Sequence, residues 1–213
     1  MSEEGVTPTE LRRVWDLPTR LFHWSLATCV AVGWYLGEYR GFDTIELHFF
    51  FGYAIGGLVA FRILWGFVGA PASRLSALLV SPATLLNYLR EIGKPRPSYW
   101  AGHAPLGSLS VLALLALLAV QATTGLFIED DALFAGGPLS GSVDAKTQGT
   151  LAQIHFIGSR LILAMVALHL LAIAFYSIWK EEDLIGPMIS GWKKVRTDHK
   201  AASNEATSTD AAD

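Results

Sequence analysis

Imidazoles set inside apolar stretches are the side chains of this sequence best placed to do chemistry. There are six histidines, and four of them, His23, His48, His155 and His169, interrupt long apolar runs. An ionisable group at such a depth is costly to bury, and where it persists it usually faces a bundle interior and serves a site. A neutral imidazole there hydrogen-bonds in a core, relays protons or ligates a metal. Of the other two, His103 stands before the proline of a helix start, His103-Ala104-Pro105, and His199 falls in a polar tail. The single Cys29 excludes a disulfide scaffold, a thiolate zinc site and an iron–sulfur cluster held by this chain alone.

The elements that must position these groups follow from hydropathy. The chain has 213 residues, 52% hydrophobic and 16% charged, with a mean hydropathy of +0.38. A soluble domain carries roughly a quarter charged residues, so this balance belongs to a membrane protein. The formal charge of -3 gives no footprint for a nucleic-acid partner. About 20 helical residues cross a hydrocarbon core of about 30 Å, and stretches 17–36, 47–68, 106–128 and 153–179 are long enough. Asp16-Leu17-Pro18 opens the first with a helix-start signal. Residues 81–92 have a serine cap, a proline in the first turn and apolar residues at helical spacing, but are too short to span. The expectation is an all-α integral membrane four-helix bundle with a short interfacial helix between spans two and three. It divides into an N-terminal segment 1–13, the bundle 14–196 and a disordered tail 197–213, with 135–150 a Gly- and Ser-rich external loop. Met1-Ser2-Glu3-Glu4 lacks a basic n-region, so no cleaved signal peptide is expected.

Basic residues set the orientation. Arg12, Arg13 and Arg20 lie at the start of the first span, Arg62, Arg74, Arg90, Lys94 and Arg96 end or follow the second, and Lys180, Lys193, Lys194, Arg196 and Lys200 follow the fourth. The other two connections hold only Arg40 and Lys146 among seven acids. By the positive-inside rule both termini and the middle loop are cytoplasmic. His23 then lies at the inner level of its helix and His48 at the outer level. On the fourth helix His155 and His169 are 14 residues apart, a rise of roughly 21 Å and a net rotation of about 40° from eclipse, so both point toward one face. Two cross-helix pairs result, His23 with His169 inside and His48 with His155 outside. Two imidazoles across a bundle interior grip one haem iron from both sides, and two stacked pairs would hold two haems across the bilayer. Without a Cys-x-x-Cys-His these would be b-type, with no thioether links.

Small residues one turn from the histidines, Gly52 and Gly56 after His48, Gly158 after His155 and Ala27 after His23, allow close approach of a flat ring, although ordinary helix packing uses the same residues. Arg62, 14 residues after His48, Arg20, one turn before His23, and Arg160, five after His155, are candidates to neutralise haem propionates. For Arg20 and Arg62 the alternative is snorkelling to the interface. His103 reads either as a propionate contact or proton donor at a quinone pocket, or as a helix-entry hydrogen bond.

These residues resemble the bacterial cytochrome b-561 family and its relatives, the di-haem cytochrome b subunits of nickel–iron hydrogenases and membrane formate dehydrogenases. The resemblance runs from about Val14 to Trp192. It is carried by Val14-Trp15-Asp16-Leu17-Pro18-Thr19-Arg20-Leu21-Phe22-His23-Trp24, by His48 with Gly52-Tyr53 and Arg62-Ile63-Leu64-Trp65-Gly66-Phe67, by Gly102-His103-Ala104-Pro105-Leu106-Gly107, and by His155 with His169. It implies that His23, His48, His155 and His169 ligate two b-type haems in the pairing above, in a bacterial inner membrane. One departure is visible, since the family segment before the third helix usually has Asn where this chain has Ala104.

Irons with two histidines have no open position for oxygen or substrate, which argues for electron transfer. The expected function is transmembrane electron transfer joining a redox partner protein on the outer face to the quinone pool, alone or as the membrane subunit of a larger oxidoreductase. Lipid, a quinone and a homodimer partner are compatible with it. A self-contained membrane oxidoreductase, oxidising superoxide or reducing ferric iron, is the alternative. A non-redox proton or metal transporter accepts buried histidines too, but explains neither the equal-depth pairs nor the glycines.

Overall fold

A computed structural model describes residues 8–197 of the chain. It is mostly helical: α1 (Leu17–Glu38), α2 (Ile45–Val68), α3 (Pro82–Glu91), α4 (Pro105–Gly125), α5 (Ala145–Trp179) and α6 (Ile185–Ser190). Two small antiparallel sheets pair β1 (Thr9–Arg13) with β4 (Trp192–Arg196) and β2 (Glu129–Asp130) with β3 (Ala135–Gly136). His199 and all but the first residue of the expected tail lie outside the described residues.

The four long helices stand where the apolar runs placed them, with one correction. The fourth begins at Ala145, inside the expected external loop, because Asp144 caps it by accepting from the Thr147 amide at 2.8 Å. The polar run Ala145 to Gly149 has no apolar period to announce a helix, yet the cap satisfies an orphan donor and lets it start early. The short helix falls as expected, with Ser81 capping α3 through the Thr84 amide.

α2, α4 and α5 are each long and apolar enough to cross a membrane. α1 has 22 residues but is more polar. The surface is inverted relative to a soluble protein: Phe50, Leu64, Phe67, Leu168, Leu171 and Ile178 all point outward, which lipid favours and water penalises. Close helix packing runs α1 on α2, α2 on α4 and α4 on α5. Halfway along, Ile55, Val59, Leu118 and Ile162 form a buried apolar layer against Leu26, Val30 and Val166.

The terminal sheet is an element that the sequence reading lacked. β1 and β4 pair with Leu11 opposite Lys194, and Val14, Trp15 and Val195 form a buried cluster beside them. Gly191, the residue that turns α6 into β4, has φ of 88° and accepts from the amides of Val14 and Trp15 at 2.9 and 3.2 Å. Only glycine takes that conformation without strain, and a Cβ there would also lie 2.8 Å from the Trp15 carbonyl oxygen. Asp16 joins this end to the bundle, because its carboxylate caps α1 at Thr19 and accepts from Trp65 Nε1, the Ala70 amide and Ser73 Oγ.

Candidate functional site

α5 carries its two histidines toward α1 and α2, the long helices outside its close packing with α4. The structure brings His23 and His169 together with ring centres 6.4 Å apart and planes at 54°. It brings His48 and His155 to 6.2 Å and 76°. Imidazole–metal bonds are about 2 Å, so two rings holding one ion from opposite sides have centres roughly 6 Å apart. Both pairs fit that separation, and the apolar layer of Ile55, Val59 and Ile162 lies between them in the helix sequences. Among the described residues no three His, Cys, Asp or Glu side chains converge to hold a bare metal ion. A two-histidine pair suits instead an iron whose equatorial ligands come from a macrocycle.

The pair of His48 and His155, expected at the outer level, is oriented by backbone. His48 Nδ1 lies 2.9 Å from the Gly33 carbonyl, and His155 Nδ1 lies 3.1 Å from the Gln121 carbonyl and 3.1 Å from Thr124 Oγ1. A carbonyl only accepts, so each Nδ1 carries the proton and each Nε2 keeps its lone pair for a ligand. A cavity of about 520 Å³ surrounds this pair, lined also by Trp34, Gly52 and Gln121. That is within the range of about 300–1,000 Å³ for small-molecule sites. Trp34 Nε1 and Gln121 Oε1 are buried in its wall without hydrogen-bond partners.

The glycines sort themselves by what a side chain would meet. At Gly52 a Cβ would meet nothing within 4 Å, leaving the cavity open beside His48. At Gly158 it would meet Gln121 Oε1 at 2.6 Å, whereas Gly56 rests against Ala122 at 3.6 Å in ordinary helix packing. The glycines closest to the imidazoles lie on neighbouring helices: a Cβ on Gly37 would sit 2.8 Å from His48 Cε1, and one on Gly125 3.2 Å from His155 Cε1. The sequence reading searched one turn along the same helix and missed both.

The three arginines occupy different settings. Arg62 is 3% exposed with Nη1 unpartnered. Arg20 donates through Nη1 to the Ile189 carbonyl and keeps a buried, unpartnered Nε. Both belong to the end of the bundle that holds His23 and His169, and a carboxylate there would satisfy them. Arg160 lines the outer cavity but is already paired, with Nη2 2.8 Å from Glu38 Oε2 and its guanidinium 5.0 Å over the Phe156 ring. Arg40, paired with Asp130 at 3.0 Å, also lines the cavity. Sequence reasoning took Glu38 and Arg40, two residues apart at the end of α1, only as charges of a connection, and passed over Gln121 and Thr124. His103 packs its ring against Trp15, centres 4.7 Å apart. Burial, then the charges of Lys193 and Arg62, push its pKa down to about 3, and among the described residues its ring makes no ion pair with a carboxylate. It does not cap α4 either, whose N-cap Ala104 offers no side-chain hydrogen bond.

An apolar helical protein with two histidine pairs at different depths, one of them beside a cavity, has the architecture of a membrane-embedded b-type cytochrome. The chain belongs to the prokaryotic cytochrome b561 family, whose model matches residues 14–191. It is similar to the probable Ni/Fe-hydrogenase B-type cytochrome subunits of Azotobacter vinelandii, at 26% identity, and Azotobacter chroococcum mcd 1, at 24%, each over 87% of this chain and 89% of the relative. It is 24% identical to the probable Ni/Fe-hydrogenase 1 B-type cytochrome subunit of Escherichia coli (strain K12), over 84% of this chain and 89% of the relative. No solved structure gives a significant match. The protein is thus a multi-pass membrane cytochrome of the b type, in electron transport.

Proposed function

We propose that the chain conducts electrons across the membrane through two haem b groups, one held by His23 and His169 and the other by His48 and His155, and so links an outer redox partner to the quinone pool. The observation that carries this reading is the matched separation of the two pairs, 6.4 and 6.2 Å. Haem b bound there supplies a one-electron iron couple. The chain's own residues do the rest: four imidazoles hold and orient, the Gly33 and Gln121 carbonyls fix the outer tautomers, Arg20 and Arg62 offer charge to inner carboxylates, and the apolar layer between the levels keeps water out. Moving one charge across 100 mV is worth about 2.3 kcal/mol, so a relay between depths couples redox chemistry to the membrane potential. The hydrogenase cytochrome subunits among its relatives favour a role as membrane subunit of a larger oxidoreductase over a self-contained enzyme.

Four crossings are part of the proposal. Strands β1 and β4 pair, so the two ends lie on one side of the membrane, which requires an even number of spans. Three helices meet the apolar requirement, and α1 supplies the fourth. The test is haem counted per chain with oxidised and dithionite-reduced spectra. Wild type should bind two haems; His23→Ala and His169→Ala should lose the same one, and His48→Ala and His155→Ala the other. A different grouping, or no reducible α-band, overturns the assignment.

A further inference from the structure

A second cavity, about 750 Å³, lies where α5 ends, beside the β1–β4 pair. Its charged lining is Lys94, Arg96, Lys180 and Arg196 against one carboxylate, Glu91, with Tyr88 among the remaining walls. Glu91 is engaged by Lys94 at 2.8 Å. Lys180 is only 4% exposed, and among the described residues it has no carboxylate partner. Its ammonium donates to the Lys94 and Arg96 carbonyls at 3.2 and 3.4 Å and lies 5.9 Å from the Tyr176 ring centre. The nearby buried carboxylate of Glu182 is already taken, by Lys193 at 3.2 Å and by Ser98 and Tyr99. The groups at hydrogen-bond distance from this nearly buried ammonium are neutral carbonyls, and in a cavity whose cations outnumber its carboxylates four to one an anion is the complementary further partner.

We infer that this cavity binds the phosphate of an anionic phospholipid headgroup. The choice of lipid rests on the surroundings. α5 is apolar enough to span and ends at Trp179, whose Nε1 donates to the Gly93 carbonyl beside Lys94 at 3.0 Å. Ile178 and Trp179, which precede Lys180 in the chain, are exposed and offer apolar surface to acyl chains at the depth where tryptophan marks the membrane interface. Basic pockets beside membrane helices take phosphate headgroups through this same charge complementarity. The inference requires only that α5 spans, and is independent of haem number.

The test uses the full chain in detergent, exchanged separately with dioleoyl phosphatidylglycerol, dioleoyl phosphatidylcholine and inorganic phosphate, with retained ligand read by native mass spectrometry. Wild type should retain phosphatidylglycerol in preference to phosphatidylcholine. The exposed pair Lys94→Gln with Arg96→Gln should cut that preference by about fivefold or more per charge removed. Arg12→Gln with Lys146→Gln removes the same charge elsewhere and should leave it intact. Equal retention of both lipids, a preference that survives the first double variant, or occupancy by inorganic phosphate without phosphatidylglycerol overturns the inference. Haem content, read from the same samples, distinguishes this failure from a failure of the haem reading.

Discussion

At the scale of single residues, the histidines are as informative for what holds them as for themselves. His48 and His155 are clamped at Nδ1 by carbonyls of α1 and α4, so helices that carry neither histidine of this pair set its orientation. The same helices bring Gly37 and Gly125 against the two rings. Gly37→Ala forces a Cβ to 2.8 Å from the His48 ring, closer than real contacts allow, and Gly125→Ala presses His155 from the other side at 3.2 Å. Each variant should keep its helix, since alanine is the better helix former. Each should nevertheless lose the haem proposed for the outer pair while keeping the inner one, with Gly37→Ala the more severe. Haem per chain beside a far-ultraviolet circular dichroism spectrum measures both, and full haem content in Gly37→Ala would remove that glycine from the site.

At the scale of elements, caps and turns decide where helices begin and how the ends are tied. α4 starts at Ala104, which cannot cap, where the resembling family usually carries Asn. Ala104→Asn restores an acceptor for the orphan amides and should raise stability by about 0.5–2 kcal/mol, provided that the side chain turns toward the helix. Gly191 is the opposite case. Its φ of 88° and its proximity to Trp15 make Gly191→Ala unfavourable on both counts, with a cost of at least about 1 kcal/mol. The damage should concentrate in the β1–β4 pair. Thermal unfolding gives the sign for both variants, and amide exchange at residues 9–13 locates the second; protection unchanged there would mean that the turn tolerates a side chain.

At the scale of the whole molecule, two carboxylates fasten the end where the chain begins and finishes. Burial acts to raise the pKa of Asp16, but hydrogen bonds from Thr19, Trp65 and Ala70 outweigh it and hold the value below the ordinary 3.8. Burial likewise opposes ionisation of Glu182, and Lys193 with Ser98 overcomes it, holding the value below 4.5. A carboxyl that is more acidic folded than unfolded contributes stability above its unfolded pKa and loses it as pH falls through the folded one. Stability should therefore be insensitive to these groups from neutral pH to about 5 and decline below about 4.5, with Asp16→Asn and Glu182→Gln each flattening the decline. Melting temperature against pH in detergent tests this; an unchanged acid limb in both variants would assign the loss to other groups. The same strand pairing joins the two ends of the described chain, and the proposed four-span topology sets them on one side of the membrane. Reporter fusions at the N- and C-termini should both be active in the cytoplasm, and a split result would remove the proposed four-span topology.

The sequence alone determined the pieces that depend on chain-local physics. Apolar runs of spanning length marked the long helices, Ser81-Pro82 marked α3, and a 14-residue interval placed His155 and His169 on one face. Even the pairing of His23 with His169 and His48 with His155 was legible, because alternating crossings fix which helix end lies at which depth. The departures came where local pattern is weak. The polar first turns of α5 have no apolar period, and their start depends on the Asp144 cap. The β1–β4 strands are short and far apart in sequence, and nothing in either five-residue segment names its partner. Only the tertiary structure could decide that Gly37 and Gly125 lie against the imidazoles, that Arg160 is held by Glu38, and that Lys180 is buried in a cavity where cations outnumber carboxylates. Periodicity orients a side chain about its own helix axis; what it meets is set by how neighbouring helices pack, information that no single segment contains.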